Sequence, residues 1–196
     1  MKRGWRLCIQ LLCLLGGYSP FFLHAQVKYE REYRLNVNKV PDGATAFMAN
    51  AGFSGKIKWY KEEALDRTSI EAKVRHQGRW YSIEFDDSST LEDIEILINW
   101  EDIPASTRDS IDAYLSENYS KYAFRRIQVQ YTGSPEELQK VLEWKTPPSG
   151  VTVRYELVAK VQTEKGFGLK EFLFAENGQL EHVATILLRR TDNLEY

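Results

Sequence analysis

The chain has few cysteines and histidines, and beyond its first residues it has no apolar run long enough to cross a membrane. Both cysteines, Cys8 and Cys13, lie near the N-terminus, and His76 and His182 are the only histidines after residue 25. A membrane-spanning helix needs about 20 consecutive apolar residues. We therefore expect no disulfide, thiolate ligand, thiol nucleophile or transmembrane segment in residues 26–196.

The first 25 residues have the features of a cleavable secretory signal, in the usual order. Lys2, Arg3 and Arg6 precede an apolar run over residues 7–15, and Ala25 supplies a small residue at the cleavage position. The run is too short to span a bilayer comfortably. The sequence predicts cleavage between residues 25 and 26, and a location in the periplasm or outside the cell.

The remaining segment is mildly acidic and long enough for one ordinary domain. Cleavage would leave 171 residues with 23 basic and 28 acidic side chains, a formal net charge of −5. Acidic residues alternate with the basic ones, and no basic stripe is present. This composition argues against a nucleic-acid partner.

Two halves of the chain share one order of elements. Val40-Pro41 and Ile103-Pro104, 63 residues apart, each open a segment with apolar residues at helical spacing. Each segment is followed by four runs of alternating apolar and polar residues, which predict antiparallel strands. These runs cover residues 56–61, 69–75, 79–85 and 91–100 in the first half, and 125–131, 151–161, 169–174 and 179–188 in the second.

Further signals complete the predicted layout. Residues 29–37 alternate like a strand, and Asn177-Gly178 is typical of a hairpin turn. Ser134-Pro135 predicts a helical insertion at about residues 134–145. The predicted units are a signal at 1–25, a strand with the first repeat at 26–102 and the second repeat at 103–196. The predicted fold class is α+β, with one curved antiparallel sheet and helices on one face.

The doubled pattern, with alternations such as Tyr81–Phe85 and Leu91–Glu95, resembles the exported PepSY-like proteins, which are similar in fold to the β-lactamase inhibitory protein. The resemblance covers about residues 29–188. It implies a tandem repeat with a long curved sheet whose second face is available to a partner. It does not imply inhibition of a β-lactamase, because that inhibitor is stabilised by disulfides that residues 26–196 cannot form.

The sequence contains no pattern typical of a catalytic, metal or cofactor site. The two remaining histidines have no partner at metal-ligand spacing. The acidic residues Asp86-Asp87 and Glu92-Asp93 lack the ligand order of a calcium loop, and a solvated hairpin explains them. No nucleophile elbow or phosphate loop is present. We therefore predict no catalytic residue, no metal and no cofactor.

The alternate residues of the strands are the candidate binding surface. If Ile70, Ile83 and Ile94 point into the core, their neighbours point to the opposite face. An ordinary solvated sheet face would have the same composition. The candidate binding residues on this face are Lys73, Arg75, Trp80, Glu84, Arg126, Gln128, Arg154 and Glu156.

These patterns lead to three functional hypotheses. The first is a non-catalytic exported module that holds an unidentified protein or peptide partner on the open sheet face, with an inhibitory or regulatory effect as one version. The second is a carrier of a small apolar or lipid-like ligand between helices and sheet. An enzyme of unrecognised type ranks last, because a shallow sheet offers no site from which water is excluded.

Overall fold

The structure, a computed structural model, describes residues 26–28, 31–64, 67–143 and 147–187, with only the backbone for 26–28 and 143. The predicted signal at 1–25 and the end of the chain from residue 188 lie outside the described residues. The signal therefore stays a prediction.

The described chain forms three α-helices and ten strands. All of them follow the predicted order except the first strand, Gln26–Lys28, which the sequence did not predict. The helices are α1 (Asp42–Asn50), α2 (Ala105–Asn118) and α3 (Pro135–Glu143). Two 3₁₀ turns cover Val37–Lys39 and Trp100–Asp102. The strands are β1 (Gln26–Lys28), β2 (Arg31–Leu35), β3 (Lys58–Glu63), β4 (Thr68–His76), β5 (Arg79–Phe85), β6 (Leu91–Leu97), β7 (Tyr122–Thr132), β8 (Thr152–Thr163), β9 (Gly166–Ala175) and β10 (Leu180–Ile186).

All ten strands belong to one curled sheet, in the order β1-β10-β9-β8-β7-β6-β5-β4-β3-β2. Strands β2 to β10 are antiparallel, and β1 adds to β10 in parallel. Only two residues separate β1 from β2 in the chain, although these strands lie at opposite ends of the sheet. Since three Cα–Cα steps span at most about 11 Å, the two ends of the sheet must approach each other. The predicted α+β class with one curved antiparallel sheet is confirmed.

The apolar core lies on one face of this sheet. Met48 of α1, Leu115 of α2 and Leu138 of α3 are buried there. Each fully buried side chain of this size contributes about 1.5–3 kcal/mol relative to exposure. Of the strand residues predicted to point inward, Ile70, Ala72, Val74, Ile83, Phe85, Ile94 and Ile96 are buried in this core, and Tyr81 and Ile98 are half-buried against it.

Strand β6 ends three residues before the predicted end at residue 100. The chain turns there because Asp102 accepts a hydrogen bond from the Asn99 backbone N–H at 2.9 Å, which caps the 3₁₀ turn. This turn begins the connection between the two halves.

The β5–β6 and β9–β10 turns have the same hydrogen-bond pattern. The Ser89 N–H donates to Asp86 O at 3.0 Å, and the Gly178 N–H donates to Ala175 O at 2.8 Å. Ser89 and Gly178 both have positive φ, at 70° and 83°. A type I turn closed by a left-handed residue explains both. Of the predicted Asn177-Gly178 pair, only Gly178 has positive φ.

Each of these turns packs against the helix of its own half. In the first half the glycine at the contact belongs to the helix, and in the second half it belongs to the turn. A Cβ added to Gly43 of α1 would lie 2.7 Å from the Cβ of Ser89, whereas one added to Gly178 would lie 2.6 Å from the Thr107 carbonyl oxygen of α2. Glycine on the helix permits the first contact, and glycine in the turn permits the second. The two halves thus share a packing geometry that does not depend on identical residues.

Candidate functional site

The strand residues that point away from the helices form a second surface, here called the polar face. The sheet register places the pairs Glu71↔Glu84 and Gln128↔Glu156 on it. All eight predicted binding residues belong to this face. With their neighbours, its members are Glu32, Glu71, Lys73, Arg75, Trp80, Ser82, Glu84, Asp93, Glu95, Leu97, Arg126, Gln128, Gln130, Arg154, Glu156, Glu171, Leu173 and His182.

The polar face is far more enclosed than the open surface that the sequence predicts. Glu71 is 4% exposed and Glu95 7% exposed, although the helices contribute to the core on the opposite face. We infer from this burial that the polar face is the concave side of the curled sheet, where side chains shield one another. Of the predicted binding residues, Gln128 and Glu156 are buried, Arg75 is exposed, and the other five are half-buried.

Two carboxyl groups of β6 lie at the centre of this face. The Gln128 amide donates to Glu95 at 2.8 Å, and the Gln130 amide lies 3.3 Å from both Asp93 and Glu95. Burial, and then the carboxylate of Glu95, raises the pKa of Asp93. Burial, and then the carboxylate of Glu156, raises the pKa of Glu95. These two groups can therefore take up protons above the usual carboxyl range.

The first repeat supplies the half-buried cation Lys73 to the polar face. Lys73 Nζ lies 3.0 Å from both Glu32 and Glu71, and 4.9 Å from the ring centre of Tyr60. Although burial opposes its charge, these two carboxylates raise the pKa of Lys73. The carboxylates of Glu32, Glu62 and Glu71 lie within 4.8 Å of one another, in a grouping that could hold a metal ion. The ammonium group of Lys73 already supplies a positive charge to this cluster.

The second repeat supplies two guanidinium groups. Arg126 lies 2.7 Å from Glu156 and 3.8 Å from Glu171. Arg154 donates to Glu181 at 2.6 Å and to Thr132 at 2.9 Å. Ion pairs thus hold Arg126 and Arg154, two of the three predicted arginines, in place on the polar face.

A groove of about 540 Å³ lies where the two repeats join. The groove is formed by the β4–β5 hairpin, the end of β6, the 3₁₀ turn that follows β6 and the middle of β7. Its lining residues are Gly78, Arg79, Trp80, Leu97, Ile98, Asn99, Trp100, Asp102, Arg125, Arg126 and Ile127. The predicted residues Trp80 and Arg126 meet here, and the groove is the second part of the candidate site.

Arg79, Trp100 and Arg125 are among the groove residues that the candidate binding list does not contain. Arg79 is the first residue of its strand, and Trp100 lies in the 3₁₀ turn. Arg125 falls at a register shift between Phe124 and Arg126, which breaks the alternation on which the prediction rests. The only sequence signal that could have identified these arginines is their position next to predicted binding residues, Arg79 beside Trp80 and Arg125 beside Arg126.

The other motifs have local structural roles. Asp86 accepts hydrogen bonds from the backbone N–H groups of Ser88 at 2.9 Å and Thr90 at 2.7 Å, and hydrogen bonding from Ser88 lowers the pKa of Asp86. These bonds fit the predicted solvated hairpin. His76 Nδ1 lies 3.2 Å from Ser54 Oγ, and the ring of His76 contacts the ring of Phe53.

Within the described residues, no helix has the length and apolar character needed to cross a membrane.

Comparison with known proteins identifies similar structures only. No protein-family model matches the chain, and no curated protein matches it. A candidate periplasmic protein of Bacteroides eggerthii aligns with a TM-score of 0.50 and 12% identity, over 74% of this chain and 88% of that one. A DUF2874 family protein of Bacteroides uniformis aligns at 0.49 and 11%, over 74% and 89%.

A BLIP-like protein of Bacteroides fragilis aligns with a TM-score of 0.47 and 15% identity, over 78% of this chain and 91% of that one. At these identities the likeness concerns the fold alone. The alignment with the Bacteroides eggerthii protein indicates a shared fold, in agreement with the tandem helix-and-strand pattern.

Proposed function

We propose that this protein is an exported, non-catalytic binding module that holds a protein or peptide partner against the polar face of its curled sheet. The observation that carries the proposal is the burial of charged side chains on a surface that is not the core. Glu71, Glu95 and Glu156 are each less than 10% exposed on this face.

Burying these charged side chains destabilises the folded state. Desolvating an ion costs several kcal/mol, and well-packed apolar residues of similar volume are often as stable or more stable. The opposite face of the same sheet is buried mainly with apolar side chains, such as Ile83 and Phe172. A charged concave face is therefore better explained by recognition of a partner than by folding.

The Ser54–His76 pair, whose side chains are of catalytic types, is not arranged as in a catalytic triad, and this favours a binding function. Among the residues that the structure describes, the Ser54–His76 pair forms no hydrogen bond with a carboxylate that would orient the imidazole as in a catalytic triad. The space between helices and sheet is filled by fully buried side chains, including Met48, Phe85 and Phe174. This packing favours a surface-bound partner over an apolar ligand carried inside.

The proposed location outside the cytoplasm rests on the predicted signal at residues 1–25. The likeness in fold to the candidate periplasmic protein of Bacteroides eggerthii agrees with it. A fusion of residues 1–40 to a reporter that is active only after export tests this part of the proposal. A reporter that remains inactive in the host would contradict it.

The binding function is tested with residues 26–196 immobilised and exposed to the envelope fraction of the host. We expect a protein that binds saturably and is lost from the variant Trp80→Ala/Arg154→Ala. The matched control is Asp109→Ala/Glu117→Ala, which changes two exposed residues of α2. Equal loss from both variants, or full retention by both, would show that the polar face is not the binding surface.

A further inference from the structure

The groove between the repeats contains two cationic side chains that the fold does not use. Arg79 and Arg125 are exposed, and neither forms a side-chain hydrogen bond or ion pair with any residue that the structure describes. Five fixed N–H donors on each guanidinium group match the oxygens of a carboxylate. The two arginines are therefore free to contact a ligand.

Aromatic surfaces accompany these two arginines. Trp80 and Trp100 also line the groove, and Trp100 is held by stacking on Phe124, with ring centres 4.8 Å apart. Both indoles are half-buried, so that each has a face or edge left for contact. Tryptophan and arginine are the residue types that most often dominate the affinity of an interface.

The groove is electropositive although the chain as a whole is acidic. Among the described residues that line the groove, Asp102 is the one with a carboxylate, and it accepts a hydrogen bond from the backbone N–H of Asn99 at 2.9 Å. Its third arginine, Arg126, is paired with Glu156 at 2.7 Å. Arg79 and Arg125 thus leave an excess of positive charge here, whereas the formal net charge of the chain is −2.

We propose that the groove binds an acidic peptide segment in which a carboxylate side chain neighbours an aromatic or aliphatic one. The arginines would contact the carboxylate, and Trp80 and Trp100 would contact the apolar neighbour. A volume of about 540 Å³ falls within the ~300–1,000 Å³ of ligand sites and suits a few residues, not a folded domain. This inference rests on the proposed function and names the chemistry of its partner.

The test is an NMR titration of residues 26–196 with the blocked peptide acetyl-Gly-Asp-Phe-Asp-Gly-amide, following the indole N–H signals of Trp80 and Trp100. Hydrogen bonds to charged groups contribute about 1.5–3 kcal/mol each. We therefore expect the Asn-Phe-Asn analogue, and each of Arg79→Gln and Arg125→Gln, to bind about 10- to 100-fold more weakly. The control Lys39→Gln/Lys165→Gln changes two exposed cations outside the groove and should bind normally.

Three results would overturn the inference. The first is equal binding of the Asp and Asn peptides, and the second is unchanged binding by the double variant Arg79→Gln/Arg125→Gln. The third is an equal response of the indole signals to citrate or inorganic phosphate, which would mean that the groove takes small anions and not peptides. Thermal unfolding at the wild-type temperature verifies that each variant is folded.

The two proposals can fail separately. An envelope partner that depends on Trp80 and Arg154, together with no binding of the acidic peptide, would refute the acidic-segment inference alone. Binding of the acidic peptide in the groove, together with no envelope partner that depends on the polar face, would refute the proposed function alone.

Discussion

Replacing Gly178 by alanine should destabilise the fold by about 2–4 kcal/mol. The φ of 83° costs an L-residue about 1–2 kcal/mol. The new Cβ would also lie 2.6 Å from the Thr107 carbonyl oxygen and 2.7 Å from the Ser110 Cβ. Because the first of these atoms belongs to the α2 backbone, the helix or the turn must move, and such overpacking costs about 1–3 kcal/mol. The lower entropy of the unfolded alanine variant offsets about 0.4–1 kcal/mol.

Gly78→Ala is the matched control, because Gly78 has nearly the same φ, 84°, and no atom within 4 Å of an added Cβ. It should show the conformational cost alone, about 1 kcal/mol. Urea unfolding followed by circular dichroism measures both variants. For a domain of this size, 1 kcal/mol corresponds to a shift in melting temperature of about 2–4 °C. Equal destabilisation by the two substitutions would refute the contact between the β9–β10 turn and α2.

The helix of the first repeat permits the converse experiment. Gly43→Ala should destabilise the protein that has Ser89, because the new Cβ would lie 2.7 Å from the Cβ of Ser89. In the Ser89→Gly variant the same substitution should be neutral or stabilising. A double-mutant cycle with a coupling energy below about 0.5 kcal/mol would contradict this. Thr107→Val should cost about 1 kcal/mol in thermal unfolding, because it removes the hydrogen bond to the Glu176 carbonyl oxygen at 2.8 Å. Glu95→Gln should stabilise the fold by about 1–2 kcal/mol in urea unfolding at a pH above the raised pKa of Glu95, because there it removes a desolvated charge. Since burial raises the pKa of Glu95 above 4.5, the folded state binds this proton more tightly than the unfolded state, and wild-type stability falls as the pH rises from about 4.5 through the raised pKa. The advantage of the Gln variant should therefore shrink towards pH 4.5, and an advantage independent of pH would contradict the assignment.

The order of elements and the two faces of the sheet could be predicted because both are local properties. A strand places successive side chains on opposite faces, so that the alternation of Ile83 and Glu84 assigns each to a face without knowledge of the neighbouring strands. Proline before each helix start, as at Pro104, acts within one turn of chain. These signals need no information about distant contacts.

The enclosure of the polar face could not be predicted in this way. Alternation assigns Gln128 and Glu156 to a face, but it does not state whether that face is flat or concave. β1 pairs with β10 while β2 pairs with β3, so that segments from the two ends of the described chain meet in one sheet. Residues expected to be open to solvent are consequently buried.

The groove also depends on distant contacts, and it belongs to the junction between repeats, not to the repeat itself. When the two repeats are aligned on their matching turns, Ser89 corresponds to Gly178. In this alignment Arg79 corresponds to Gly168 and Trp80 to Leu169. The second repeat therefore has neither the arginine nor the tryptophan at the equivalent positions. The helix-and-turn contact, in contrast, occurs in both halves. The helix-and-turn contact that the repeats share therefore contributes to folding. Binding specificity should be attributed to the groove residues in which the repeats differ, such as Arg79 and Trp80.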